Sequence, residues 1–289
     1  MTARQNYMAM VKAGRALHAL VRDPEDSSRV FEIVEALRPK ERAPMLHRLR
    51  DDPNGAQLLN SRPSIRAALS DRARLFAMPQ GSLGRAYLAY LDGSGISAEG
   101  LVAASQIERT AWTEEGIWMT ERMRDTHDLW HTVTGYGSDV AGEMLVLAFS
   151  FAQTKTPGLG LIVLASLLAN VGSPMGADIT LAYVRGLSAE WLPAVAWETL
   201  LHQPIAEVRA FLKVGEPLRY QPIDPASLSQ TSFVSRILNG HKNAATASSL
   251  PDLRKETGLT RERERVMKGP GRPPHRTAES RVFAASVPA

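Results

Sequence analysis

The chain has 289 residues, 44% of them hydrophobic, enough to build one large core or two modest ones without covalent staples. Cysteine is absent, which excludes disulfides, thiolate zinc ligands and a cysteine nucleophile, so a transition-metal site must rely on His and carboxylates. The net charge of +4 is carried by the last stretch, where Pro251 to Ala289 hold nine Lys/Arg against five Asp/Glu; a solvated tail follows from this, and no nucleic-acid partner is expected.

The opening Met1-Thr2-Ala3-Arg4-Gln5 leads into an amphipathic stretch with Lys12, Arg15 and Arg22 and apolar positions at Met10, Val11, Leu17, Leu20 and Val21. No continuous apolar run follows the first charges, so a secretory signal is not expected. Mitochondrial presequences are also amphipathic and acid-poor, but this stretch runs directly into further helices. The expectation is a bacterial cytoplasmic protein, peripheral to the inner membrane.

Val30, Ile33, Val34 and Leu37 recur at helical spacing behind Ser27 and Ser28, and Pro39 closes the segment. Met45, Leu46 and Leu49 follow Pro44 and precede Asp52-Pro53, so the opening third reads as short helices in series. Leu83, Tyr87, Leu88 and Leu91 mark another helix between two turn clusters, Met78-Pro79-Gln80-Gly81-Ser82 and Asp92-Gly93-Ser94-Gly95. From about Glu114 to Thr134 a mixed pattern predicts one helix, which stops at Gly135-Tyr136-Gly137 and restarts after Ser138-Asp139 as Val140 to about Gln153.

The most apolar run, Leu159 to Val171, is broken by Gly160 and bounded by Pro157 and Gly172. It falls short of the ~18 to 20 residues that span a bilayer, so no transmembrane segment is expected. A helix from Leu161 that is apolar nearly all round belongs in the core, the alternative being the wall of a greasy pocket or a membrane contact. Helices near Trp191 to Leu201 and from Pro204 through Val208 and Phe211 to Leu212 follow. No strand ladder is read.

Past Val214 the pattern decays into Pro, Ser, Thr, Ala and Arg, and Gly269-Pro270-Gly271-Arg272-Pro273-Pro274 cannot build a packed element. The expected fold class is all-α, a single compact helical domain over 1–222 with a mostly disordered basic tail over 223–289. Phe233, Val234, Ile237 and Leu238 could form one docking helix within that tail.

His127-Asp128-Leu129-Trp130-His131 sets two imidazoles four residues apart, one helical turn, so both project from one face. Asp128 is rotated by roughly 100°. Eleven residues including the glycine turn separate His131 from Glu143, enough for the chain to reverse and return that carboxylate to the histidines. Nitrogen and oxygen donors together suit zinc or another borderline divalent ion.

Spacing alone leaves other readings open: an accidental His pair, an Asp128 that only orients one imidazole, or a site akin to two known motifs. The order resembles the zincin His-Glu-x-x-His helix, with Asp128 one methylene shorter than that motif's base. It also resembles His-Asp phosphohydrolases, for which His47 and Asp178 would have to supply the outer ligands.

Met78-Pro79-Gln80-Gly81-Ser82-Leu83-Gly84-Arg85-Ala86-Tyr87 is similar to the Pro-x-Gly-Ser-Leu-Gly-x-x-Tyr signature of the Coq-four family of ubiquinone (coenzyme Q) biosynthesis proteins. The family's metal motif, His-Asp-x-x-His followed after eleven residues by Glu, is matched by His127, Asp128, His131 and Glu143. Gly142 matches as well. Trp197-Glu198 and Pro204-Ile205-Ala206-Glu207-Val208-Arg209 resemble the family's C-terminal helices, so the resemblance covers roughly Met10 to Val214. The long tail and the turn Tyr136-Gly137-Ser138-Asp139 depart from the family pattern without touching a ligand position.

The resemblance implies an all-helical fold, zinc as the cofactor, and His127, Asp128, His131 and Glu143 as ligands, with Asp128 and Glu143 also available as proton relays. It implies a lyase that removes the C1 carboxylate of a polyprenylated 4-hydroxybenzoate, with or without oxidation and hydroxylation. The alternative implied is a non-catalytic scaffold for other ubiquinone-biosynthesis proteins. The expected partners are a polyprenylated hydroxybenzoate or quinone intermediate, those other proteins, the membrane surface and a second copy in a homodimer. The apolar helix from Leu161 and the Met119/Met123 pair are candidate walls for a prenyl tail, and Arg85 and Arg124 are candidate carboxylate contacts.

Overall fold

Helical periodicity dictates the architecture of the described residues. The structure, a computed structural model, describes residues 3–23, 26, 28–37, 43–94, 113–217, 220 and 222. All of them belong to one compact unit within Met1–Lys242. The expected tail and the docking-helix candidate at Phe233, Val234, Ile237 and Leu238 lie outside the described residues.

The helices are α1 (Ala3–Arg22), α2 (Ser28–Ala36), α3 (Ala43–Asp51), α4 (Pro53–Ser61), α5 (Arg66–Ser70), α6 (Arg72–Ala77), α7 (Leu83–Ser94), α8 (Glu114–Asp125), α9 (His127–Thr134), α10 (Val140–Thr154), α11 (Pro157–Ala169), α12 (Pro174–Ser188), α13 (Trp197–Leu200) and α14 (Ile205–Phe211). A 3₁₀ turn at Leu192–Ala194 precedes α13, and no strand occurs among the described residues. The all-α expectation holds.

The main core joins α7, α9, α10, α12 and α14 through Leu83, Tyr87, Leu129, Trp130, Leu145, Phe149, Ile179 and Leu212. Met45, Leu49, Leu58, Trp118 and Met119 form a second cluster among α3, α4 and α8, and Ala13, Ala16, Leu20, Ile33 and Ile162 a third among α1, α2 and α11. Met119 is thus core packing.

The glycine-bearing signature docks two distant segments. Leu83 and Gly84 donate their backbone N–H groups to the carbonyls of Gln203 and Leu201, both at 2.8 Å, and Ile205 N–H donates to Gly81 O at 2.9 Å. The otherwise unpaired donors at the start of α7 are satisfied by this exchange. A Cβ on Gly84 would stand 2.3 Å from Met78 Sδ and 3.2 Å from Leu201 O, so a larger residue at the crossing would have to push Met78 aside and crowd that carbonyl. From the other side Arg122, 4% exposed, forks onto Glu198 at 2.7 and 3.0 Å and donates to Val195 O at 2.9 Å, fastening α8 to α13.

Four elements differ from the sequence expectation. The helix over Glu114 to Thr134 is divided at Thr126, whose hydroxyl donates back to Arg122 O at 2.8 Å, an arrangement that bends helices. The helix expected near Trp191 to Leu201 is a 3₁₀ turn and one short helical turn, because Pro193 supplies no N–H to an α-helical ladder. Helix α12 was not expected at all. The apolar helix from Pro157 is also less enclosed than expected: Ile162 and Val163 are buried while Leu164 and Leu168 are exposed.

Candidate metal centre

Helix α9 carries the two histidines, and its short length makes its C-terminal carbonyls costly to leave unpaired. Gly135 N–H donates to His131 O at 2.8 Å, Arg209 donates to Thr132 O and Val133 O at 3.1 and 3.0 Å, and Arg185 reaches Thr134 O at 3.3 Å. The two guanidiniums also place positive charge at the negative end of the helix dipole. Arg185 goes on to donate to Tyr136 Oη at 2.7 Å and to Val214 O at 2.9 Å, joining the turn after α9 to the chain after α14.

Glu143 is presented by the first turn of α10. Asp139 caps that helix, accepting from the N–H groups of Ala141 and Gly142 at 3.0 and 3.3 Å. Its other carboxylate oxygen accepts from Tyr220 Oη at 2.5 Å, and that hydroxyl in turn accepts from Gly137 N–H at 2.8 Å. A Cβ at Gly142 would lie 2.2 Å from Gly137 O and 2.6 Å from Tyr220 Oη, so glycine there lets the turn fold tightly against α10.

The donors then converge. The His127 and His131 rings meet edge to face, centroids 4.8 Å apart and planes at 67°. His131 is fully buried and its Nδ1 lies 3.0 Å from Tyr136 O. A carbonyl only accepts, so Nδ1 carries the proton and Nε2 presents its lone pair. That Nε2 is buried without a hydrogen-bond partner and stands 3.4 Å from Glu143 Oε1. His127 Nδ1 lies 3.3 Å from Asp128 Oδ1, a long contact that pairs this ring with a buried carboxylate.

A divalent ion fits these residues. One ligand atom each from His127, His131 and Glu143 can be chosen so that all lie within 4.8 Å of one another. The 3.4 Å between Nε2 and Oε1 is long for a hydrogen bond, but it is the separation of two ligands sharing one ion through bonds of ~2.0–2.2 Å. An orphaned, fully buried imidazole lone pair is the feature that such an ion would satisfy.

Electrostatics agree with the geometry. Burial opposes the charge on His127, but the hydrogen bond to Asp128 and the fields of Glu143 and Asp128 prevail and raise its pKa. Burial likewise works against ionising Asp128 and Glu143; contact with His127 for the first and His131 for the second prevails, and both pKa values fall. The pocket therefore keeps negative carboxylates beside imidazoles.

Of the four expected ligands, His127, His131 and Glu143 are drawn into one group, while Asp128, 5% exposed, sits behind His127. His47 is exposed on α3 and Asp178 stands on α12, and neither joins the group, so the His-Asp phosphohydrolase arrangement is not assembled. Arg85 donates to Phe76 O and Arg124 pairs with Asp125, so each guanidinium has a partner within the protein. Sequence reasoning missed Tyr90, stacked on His131 with centroids 5.2 Å apart, and the Asp139–Tyr220 latch. Tyr90 lies three positions after Tyr87 on the same helix, a spacing that could have flagged it.

An all-helical protein whose central helices offer two imidazoles and a carboxylate to one cation is the class that fold and site define. Residues 2–217 match the family described as coenzyme Q (ubiquinone) biosynthesis protein Coq4, and the chain belongs to that family.

Among curated relatives, the mitochondrial ubiquinone biosynthesis protein coq4 of Aspergillus flavus is 32% identical over 179 residues, 60% of this chain and 61% of that protein. The Penicillium rubens counterpart is 29% identical over 212 residues, 71% of this chain and 72% of its own. The chain spans about three fifths of the length of the first of these relatives. A crystal structure from Nostoc punctiforme, bearing the name of a ubiquinone biosynthesis protein, shares the fold with a TM-score of 0.53 at 22% identity, over 72% of this chain and 97% of that one.

The relatives' names overturn the expectation of a bacterial cytoplasmic protein, since they point to mitochondria. The acid-free, amphipathic start on which that expectation rested argues only against a secretory signal and does not separate the two settings. No described helix is long and apolar enough to cross a membrane.

Proposed function

We propose that this chain removes the C1 carboxylate of a polyprenylated 4-hydroxybenzoate in ubiquinone biosynthesis, as a metal-dependent lyase in a mitochondrial setting. The observation that carries the reading is the buried, unpartnered Nε2 of His131 facing Glu143. His127, His131 and Glu143 would hold zinc or another divalent ion, with Asp128 as fourth ligand or as the group that orients His127. When bound, the ion supplies a Lewis acid that holds a carboxylate and draws charge from the ring.

The residues divide the remaining work. Asp128 keeps His127 in one tautomer, and Tyr136 O does the same for His131. Glu143 is 41% exposed at its side chain, so it is the carboxylate free to exchange a proton with solvent or substrate, and Asp128 is the second candidate relay. The prenyl tail needs an apolar path. Leu164, Leu168 and Val171 about α11 and Leu181, Val184 and Leu187 on α12 are exposed, and no charged residue occurs between Lys155 and Asp178. That surface supports peripheral contact with a membrane, from which a prenylated substrate would be drawn.

The same surface favours a second reading, a scaffold that binds prenylated intermediates, a second copy of itself and other pathway proteins without chemistry of its own. Zinc-loaded protein incubated with a short-tailed substrate analogue under oxygen and under argon separates the two. Loss of the carboxylate in at least one gas, abolished in His131→Ala, is expected. No product in either gas, with pathway partners still retained, overturns the lyase reading in favour of the scaffold.

A further inference from the structure

Helix α7 brings Tyr90 over the centre. Its ring lies on the His131 imidazole, planes 21° apart, and its hydroxyl is shielded from solvent with no hydrogen-bond partner. Burial and then the fields of Glu143, Asp128 and Tyr220 disfavour ionising that hydroxyl, so while the ring packs against the main core, the hydroxyl senses the carboxylates of the centre. A buried hydroxyl left unpaired is uncommon and costly, and the imidazole on which this ring stacks carries another unpaired buried atom, Nε2 of His131.

The two vacant functions are complementary. His131 Nε2 and Glu143 offer lone pairs, suited to a cation, whereas the Tyr90 hydroxyl is a donor and seeks an oxygen. A ligand that sets one oxygen on a cation and turns a second outward satisfies both, and a carboxylate on an aromatic ring is such a ligand. We infer that Tyr90 is a substrate-positioning residue, its hydroxyl donating a hydrogen bond to an oxygen of the aryl carboxylate bound at the His127–His131–Glu143 centre. The inference rests on the substrate class proposed above.

Tyr90→Phe deletes the donor and keeps the ring and its stack. Zinc-loaded wild type and variant are titrated calorimetrically with 4-hydroxybenzoate and with phenol, which lacks the carboxylate; zinc content and unfolding midpoint are measured alongside. Expected are unchanged zinc and midpoint, roughly tenfold weaker 4-hydroxybenzoate binding in the variant and equal phenol binding, the loss of one charge-assisted hydrogen bond. A structural role would not discriminate between the two ligands. Equal 4-hydroxybenzoate affinity in both proteins overturns the role of Tyr90 and leaves the lyase reading standing. Loss of zinc from the variant overturns it too, by making Tyr90 part of the metal set. A wild type that takes up zinc yet binds no 4-hydroxybenzoate overturns the substrate class and the inference with it.

Discussion

Replacing Asp139 by alanine tests whether the cap of α10 holds the centre together. The carboxylate accepts from the N–H groups of Ala141 and Gly142 and from the hydroxyl of Tyr220. Loss of a helix cap costs about 1 kcal/mol, and loss of a hydrogen bond to a charged group about 1.5 kcal/mol, so Asp139→Ala should cost about 2–3 kcal/mol. For a domain of this size that is a fall in melting temperature of roughly 5–10 °C.

Asp139→Asn retains capping and should cost about 1 kcal/mol or less. Because Tyr220 and Asp139 share one bond, Tyr220→Phe and Asp139→Ala together should be less damaging than their separate effects added, by about 1 kcal/mol. Urea unfolding followed by circular dichroism measures all four proteins, and the shift counts as stability where the slope with denaturant is unchanged. Since Glu143 sits in the turn that Asp139 caps, metal affinity should fall about tenfold in Asp139→Ala. An unfolding shift under about 0.5 kcal/mol, or strictly additive mutations, would refute the reasoning.

Asp128→Asn should retain metal at about 10- to 100-fold lower affinity if the carboxylate orients His127, whereas loss of all bound metal by elemental analysis would make Asp128 an indispensable ligand. Metal affinity should weaken on acidification from above pH ~6.5, because protons compete for the raised His127 while Asp128 and Glu143, both lowered, stay ionised; a chelator titration read across pH checks it. In the metal-free protein the sign is opposite. His127 raised on folding stabilises the fold fully below ~6.5 and that contribution disappears as pH rises through its folded value, visible as unfolding midpoint against pH. Glu198→Ala leaves buried Arg122 without its fork partner and should cost about 2–3 kcal/mol in urea unfolding, with wild-type stability counting against the clamp.

How far the chain could be read without coordinates depended on contrast between helix faces. Val30, Ile33, Val34 and Leu37 stand out against polar neighbours, and α2 is legible. Helix α12 is not, because Ile179, Ala182 and Gly186 face inward while Leu181, Val184 and Leu187 on the outer face are equally apolar. With exposed Leu181, Val184 and Leu187 set among exposed Thr180 and Ser188, the 3.6-residue period has little contrast to show. The outer face of α11 escaped for the same reason: an apolar run implies burial only when something covers it.

At the centre the division follows the range of the interactions. Two histidines one turn apart must share a helix face, and eleven residues with a glycine turn can return a carboxylate to them, so His127, His131 and Glu143 are determined by local geometry and chain length. Which nitrogen of His131 is left bare is decided by Tyr136 O. The stacking of Tyr90 is decided by how α7 crosses α9, and the grip on Asp139 by a tyrosine far along the chain. The last two are contacts between segments distant in sequence, set by packing of the whole core, and no local pattern encodes them; Tyr136 lies only five residues past His131, but the pattern of residue types does not say where its carbonyl points.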